Sequence, residues 1–284
     1  MAPPLRHGQT TNLGRINAMK IGIVGCAGRM GRMLSTTVLK TAGVDLVGGT
    51  EQPGNPTIGE DLGTLVGTQP LGVLVGIDPK ALFEAVDAVI DFTIPAATVA
   101  HAHLAKESGT ALVVGTTGLS DADMAVLAEA GNSAAVVHAG NMSLGVNLLM
   151  GLAELVARAI GSDYDIEVVE MHHKHKIDAP SGTALMLGKA AAAGRGISHD
   201  ANAVISREGE TGARPDSAIG YATLRGGDVI GEHSVIFAGP SERIELVHKA
   251  TDRALFAKGA VHATLWTNGR APGLYTMRNV LGLD

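Results

Sequence analysis

A chain of 284 residues with 45% hydrophobic and 18% charged side chains carries enough apolar material for one large core or two smaller ones, which excludes a disordered chain. A formal charge of -6 (22 Lys and Arg against 28 Asp and Glu) and 3% aromatic residues argue against a nucleic-acid partner. The lone Cys26 excludes an intrachain disulfide framework and a multi-cysteine metal site.

Residues 1–18 contain Arg6 and Arg15, no acid and no apolar signal core, and read as an unstructured N-terminal extension ahead of a start near Met19. From Lys20 to His138, short apolar runs at 21–24, 44–48, 88–92, 111–114 and 135–138 alternate with helical stretches at 30–41, 95–108 and 121–130. Continuous runs rich in Val and Ile suit parallel strands buried on both faces, and Pro95 suits a first helical turn. The rhythm predicts a Rossmann-like, doubly wound α/β domain with a parallel sheet. Segment 52–76, rich in Gly and Pro, carries no assignment. The uncharged run 130–153 is long enough for a bilayer, but Asn132, His138, Asn141 and Asn147 would be costly there. It reads as a strand, a loop and a helix start in a cytoplasmic protein with no membrane partner.

Beyond Asn141 the rhythm changes. Leu144, Leu148, Leu152, Leu155 and Val156 recur at helical spacing and predict a helix over 143–160. An extended run at 165–171 follows, then a helix from Ser181 to about Ala193 and strands at 218–224, 232–238 and 243–248. Residues 207–217 read as a loop and 252–265 as a helix. Strands without intervening helices predict a second, α+β domain on an open mixed or antiparallel sheet. The expected division is 19–142 with 252–284 for the first domain and 143–251 for the second.

The first motif is Gly25-Cys26-Ala27-Gly28-Arg29-Met30-Gly31, between a strand and a helix. Its glycines allow a sharp turn and bring backbone N–H groups to a pyrophosphate at the helix N-terminus. The spacing is GxxGxxG rather than GxGxxG, so the signal rests on context, and a turn without ligand is the alternative. Glu51 ends the second strand, where an acid binds the adenosine ribose hydroxyls. Followed by Gln52 rather than a cation, it favours NADH over NADPH. Cys26 reads as a loop filler, not a nucleophile. Asp91-Phe92-Thr93, Gly115-Thr116-Thr117 and Ala139-Gly140-Asn141-Met142 follow strands on the same side, where open α/β sheets bind ligands; ordinary turn chemistry is the alternative.

The second motif runs from Glu170 to Ala184. His172-His173-Lys174-His175-Lys176 makes a positive field suited to an anion. A metal site is disfavoured, because Lys174 and Lys176 repel a cation; a solvated charged turn is the remaining alternative. In an extended chain His172, Lys174 and Lys176 share a face, and on a helix the spacing of His172 and Lys176 also pairs them. A histidine beside an ammonium can deliver a proton as negative charge develops on a substrate. Ser181 suits a helix N-cap, and the N–H groups of Gly182 and Thr183 suit a carboxylate. A cationic and a dipolar anion site side by side point to a small dicarboxylate.

The stretch from Glu170 to Ala184 resembles the E-x-H-H-x-x-K-x-D-A-P-S-G-T-A signature of the 4-hydroxy-tetrahydrodipicolinate (dihydrodipicolinate) reductases of lysine and diaminopimelate synthesis. The G-x-x-G-R-M-G loop, the D-F-T and G-T-T turns and Ser206-Arg207-Glu208-Gly209 support the resemblance, which runs from about Lys20 to the C-terminus. It implies an NAD(P)H-dependent oxidoreductase, a homotetramer assembled through the second domain, and a C-terminal segment that rejoins the first. By the same matching, His172 is proton donor and acceptor and Lys176 a proton donor, while His173, Gly182 and Thr183 contact the substrate carboxylates. The dinucleotide would touch Gly25, Cys26, Ala27, Gly28, Arg29, Met30, Glu51, Gly115, Thr116, Thr117, Ala139, Gly140, Asn141 and Met142. Many members carry Arg where this chain has Gln52, and an aromatic where it has Met142. Two rival readings are another amino-acid or sugar dehydrogenase sharing the nucleotide-binding half, and a non-catalytic dinucleotide sensor.

Overall fold

The computed structural model describes residues 18–283, so the extension expected over 1–18 lies, apart from Ala18, outside the described residues. The chain opens with β1 (Met19–Val24), α1 (Arg29–Leu39) and β2 (Val44–Thr50). The unassigned segment then supplies α2 (Leu62–Leu65) and β3 (Val75–Gly76). Next come α3 (Pro79–Ala85), β4 (Ala88–Asp91), α4 (Pro95–Ser108), β5 (Ala111–Val114), α5 (Asp121–Ala130) and β6 (Ala135–His138).

The second half contains α6 (Leu144–Ile160), β7 (Asp165–His172), α7 (Gly182–Arg195), α8 (His199–Asn202) and β8 (Ala203–Val204). Strands β9 (Ile219–Arg225), β10 (Gly231–Ala238) and β11 (Arg243–Ala250) follow. The chain closes with α9 (Ala254–Thr267), β12 (Gly273–Tyr275) and α10 (Met277–Leu281).

Seven strands form a parallel sheet in the order β12-β6-β5-β4-β1-β2-β3, and the order reverses between β1 and β4. That reversal opens a crevice at the carboxyl ends of the strands. Both faces are covered, which is why the runs are continuously apolar. Ile21, Ile23 and Ile90 pack with Leu34 and Val38 of α1 and Ala257, Ala260 and Val261 of α9. Val24, Val89 and Leu112 pack on the opposite face with Phe83, Ala102 and Leu127. The C-terminal segment therefore belongs to this first core. Strand β12, too short to show as an apolar run, adds itself to β6 at the sheet edge.

The five-stranded second sheet is mixed: β11, β10 and β7 run antiparallel, while β7, β9 and β8 run parallel, in the order β11-β10-β7-β9-β8. Its inner face, carrying Ile166, Val168, Val235 and Phe237, packs on Leu149 and Ala153 of α6 and Leu187 and Ala191 of α7. The two helices cross closely, since a Cβ at Gly194 would sit 2.1 Å from the Glu154 carbonyl oxygen. None of the outward residues Val169, Met171, Ser234, Ile236, Glu245 and Val247 is buried. The run Leu144–Asp163 is long and apolar enough to cross a membrane by length and composition. It carries Glu154 ion-paired to Arg158 and Arg278, and leaves Leu148, Leu152 and Leu155 exposed.

Candidate active site

The Gly25–Met30 loop sits at the crevice above β1. A Cβ at Gly31 would lie 2.1 Å from the Gly25 carbonyl oxygen, so only glycine lets the first turn of α1 come this close to the loop. No side chain caps α1 and no acid occupies its first turn, which leaves a positive helix end facing the crevice. Glu51 closes the loop, accepting from the Ala27 amide at 2.8 Å and from Asn55 Nδ2 at 3.1 Å. Cys26 is fully buried, and burial followed by the nearby Glu51 charge pushes its thiol up to about 12, which leaves it protonated filler. A cavity of about 280 Å³ next to the loop is lined by Gly25, Glu51, Gln52, Thr93, Ile94 and His101, among others, and by no Lys or Arg among the described residues. Loop, helix end, carboxylate and cavity fit a dinucleotide.

Sequence reasoning missed His101, whose position within a helical stretch gave no signal. Its Nδ1 donates to the fully buried Asp91 at 2.8 Å, and Asp91 also accepts from the Thr93 amide at 2.8 Å. Burial acts to raise the Asp91 carboxyl, but the bonds from His101 and Thr93 outweigh it and hold it below the ordinary range. Thr116 Oγ1 reaches the same carboxylate at 3.4 Å, so one buried anion ties together the turns after β4 and β5. Thr116 is buried there; Thr117 is exposed and Gly115 half-buried. Met142 turns into the core, while Asn141 reaches across to the second half, its Nδ2 donating to Thr183 Oγ1 at 3.0 Å.

Strand alternation in β7 places Ile166, Val168, Glu170 and His172 on the buried face, so the last two put polar groups at the rim of an apolar row. The Glu170 side chain is 1% exposed. Its Oε2 accepts from His172 Nδ1 at 2.6 Å and from Arg225 Nη1 at 2.8 Å. Its Oε1 accepts from the Ser181 amide at 2.9 Å and Arg225 Nη2 at 3.0 Å. Burial alone would raise this carboxyl, yet Arg225, His172 and Ser181 together hold it down. A carboxylate only accepts, so His172 must donate from Nδ1, which leaves Nε2 as the nitrogen that can gain or lose a proton. Burial lowers the His172 pKa below its ordinary value, Glu170 opposing and Lys176 and Arg225 assisting.

The expected shared face of His172, Lys174 and Lys176 is corrected. The strand stops at His172, and residues 173–176 form a turn closed by the Lys176 amide on the His173 carbonyl at 3.1 Å. No helix forms there either. His173, Lys174 and His175 instead line an open depression of about 600 Å³ with Gly227, Asp228 and Arg253, and Arg253 Nη2 lies 3.4 Å from His173 Nε2. Lys176 returns within electrostatic reach of His172, with its Nζ 2.7 Å from Asp178 Oδ1.

Ser181 caps α7 as expected, accepting from the Ala184 amide at 3.1 Å. Gly182 is exposed and Thr183 half-buried at the helix start. His172, Thr183, Asn141, Gly231, His233 and His248 help line one cavity of about 40 Å³, joined from the side of the first core by Leu255 and Phe256 of α9. Elements of both halves therefore meet at His172. Arg225, Arg253, His233 and His248 were not singled out from sequence. A signal existed for His233, which shares a strand face with Val235 and Phe237, the wrong face for a solvated histidine.

Models of one family match almost the whole described chain: "Dihydrodipicolinate reductase, N-terminus" over residues 19–142 and "Dihydrodipicolinate reductase, C-terminus" over residues 145–281. A 4-hydroxy-tetrahydrodipicolinate reductase of Rhodopseudomonas palustris (strain BisA53) is 54% identical over 265 residues, covering 93% of this chain and 97% of the relative. The protein of the same name from Rhizobium meliloti (strain 1021) is 55% identical over 267 residues, covering 94% and 98%. Among solved structures, a dipicolinate-bound dihydrodipicolinate reductase from Paenisporosarcina sp. TG-14 superimposes with a TM-score of 0.74 at 24% identity, over 91% of this chain and 97% of that one, a likeness of fold.

Proposed function

The chain belongs to the dihydrodipicolinate reductase family, and from that membership we propose that it catalyses the NAD(P)H-dependent reduction of 4-hydroxy-tetrahydrodipicolinate, by way of dihydrodipicolinate, to tetrahydrodipicolinate. This is a step of diaminopimelate and lysine synthesis. The observation that carries the reading is the shared cavity, where His172 of the second half meets Asn141 of the first across the carboxylate-ready start of α7. The Gly25–Met30 loop and Glu51 would hold a reduced nicotinamide dinucleotide, which would supply the hydride for ring carbon 4. The residues of the chain do the rest. The amides of Gly182 and Thr183, with His173 and the neighbouring cations, hold the two carboxylates. His172 carries a proton on Nε2, or Lys176 on Nζ, to the electron-rich ring left by hydride addition. Cations facing that charge favour the transition state over the ground state.

Burial, and then the charges of Lys176 and Arg225, lower the His172 pKa against the pull of Glu170. A dianionic substrate reverses that balance and raises the pKa when the proton is needed. For the cofactor, Glu51 followed by Gln52, in a cavity lined by no Lys or Arg among the described residues, supports NADH over NADPH. The uncovered outer face of the second sheet supports self-association, read as a homotetramer built through the second half. The domains divide as 19–142 with 252–284 and 143–251, in a cytoplasmic enzyme.

The test is oxidation of NADH and of NADPH followed optically with enzymatically generated substrate. Turnover with the higher kcat/KM for NADH is expected. Dinucleotide binding without turnover would instead establish a sensor.

A further inference from the structure

We infer that His233 is a positioning residue that holds the His172 imidazole in register with the carboxylate-binding start of α7. It rests on the reading of His172 as the proton carrier. His233 is 4% exposed, and its ring stands edge-on to that of His172 with centroids 5.1 Å apart and planes at 75°. Its Nε2 lies 3.0 Å from Ser181 Oγ, the atom that caps α7. The Ser181 amide holds Glu170, and Glu170 holds His172 Nδ1. The contacts thus close a circuit from His172 through Glu170, Ser181 and His233 back to His172.

Each link removes a freedom that proton transfer cannot tolerate. Glu170 fixes the tautomer and one end of the imidazole, but a single hydrogen bond leaves the ring free to rock. The edge of His233 walls one side. On another side a Cβ at Gly231 would already lie 3.0 Å from His172 Nε2. The same circuit fixes Ser181, so the first amides of α7 and the Nε2 nitrogen keep a constant relation, which is what aligning an anchored carboxylate with a proton donor requires.

A purely structural role does not account for a histidine here. His233 Nδ1 is buried with no hydrogen-bond partner among the described residues, and an apolar ring would fill the same space without that cost. Strand register also sets His233 opposite both Glu170 on β7 and His248 on β11, so it sits at the centre of the polar row. Burial above all, then His172, His248 and Lys176 against Glu170, keeps it neutral, so it positions without adding charge.

The experiment compares His233→Gln, His233→Asn and His233→Phe in the full chain, with His172→Gln as reference, reading kcat, both KM values and the melting temperature. Gln reaches the place of Nε2 and should keep kcat within about threefold of the parent. Asn falls short and Phe cannot bond to Ser181, so each should lower kcat by at least about tenfold while leaving KM for NADH within about twofold. Parent-like kcat in Asn and Phe overturns the inference, and so does a Gln variant no better than Asn. A loss that tracks NADH affinity does the same. Should Phe fail to fold, the Gln and Asn pair decides. If His172→Gln itself turns over normally, the proton-carrier reading fails first. If it is inactive while His233→Phe is not, only the positioning role fails.

Discussion

Glu170 shows what the proton chemistry demands of a single side chain. A buried carboxylate is costly unless paired, and here Arg225, the Ser181 amide and His172 Nδ1 all contribute. Glu170→Gln strands Arg225 and should cost about 3 kcal/mol in a denaturant melt. It should also lower kcat by about a hundredfold, because His172 loses its fixed tautomer. A loss of stability without loss of turnover would contradict that role. The pH dependence follows from the charged groups Glu170 on β7, Arg225 on β9 and Lys176 on the turn, and from the titratable His233 on β10. Burial depresses the His172 pKa, and a bound dianion would relieve the depression by favouring the charged ring. The limb on which protonated His172 is lost should therefore lie at higher pH in kcat than in kcat/KM; coincident limbs would count against it. His233 adds a stability term, since burial brings its pKa from 6.5 to about 4. As pH falls through that window the unfolded chain takes up a proton that the folded one refuses. Stability is full above about 6.5 and falls toward pH 4 by up to roughly 3 kcal/mol, less in His233→Gln.

Among the elements, the proposed function makes the loop and first turn of α1 the dinucleotide cradle. Ala is a better helix former than Gly by about 0.5–1 kcal/mol, so propensity alone would favour Gly31→Ala. A Cβ placed 2.1 Å from a backbone oxygen reverses the sign. The variant should raise KM for NADH at least about tenfold with kcat little changed, measured in steady state; an unaltered KM would show that the close approach does not shape the site. The glycines at 25, 28 and 31 made this element legible from sequence, because strand, turn and helix signals agreed there. The turn at 173–176 was not legible. It contains neither Gly nor Pro, and its conformation comes from pairing with a distant segment, His173 donating to the Val229 carbonyl. Tertiary pairing also explains β3 and β12, strands of two and three residues that exist only because a neighbouring edge accepts them.

At the scale of the whole molecule, the C-terminal segment locks the first core to the site. A Cβ at Gly259 of α9 would overlap the Met142 carbonyl, so the helix presses directly on the turn that carries Asn141. The alternation of runs and helices revealed both halves, and the His172 to Thr183 stretch carried the family resemblance on which the proposed chemistry rests. The buried Glu170 and His233 and the half-buried Arg225 needed the sheet register, which brings β7, β9 and β10 side by side. The outer face of that sheet bears on assembly. If the proposed tetramer forms through it, charging it with Ile236→Lys and Val247→Lys should reduce the mass in light scattering, and an unchanged mass would place any interface elsewhere.

The proposed function has the glycine loop and the cationic turn serve one reaction across one cleft. Its most direct measurement is a crystal structure of the ternary complex with reduced dinucleotide and dipicolinate. The dinucleotide should follow the loop to Asn141, with the dipicolinate ring between the nicotinamide and His172 Nε2 and one carboxylate on the Gly182 and Thr183 amides. A nicotinamide on the far side of the sheet, or a dipicolinate out of reach of His172, would contradict it.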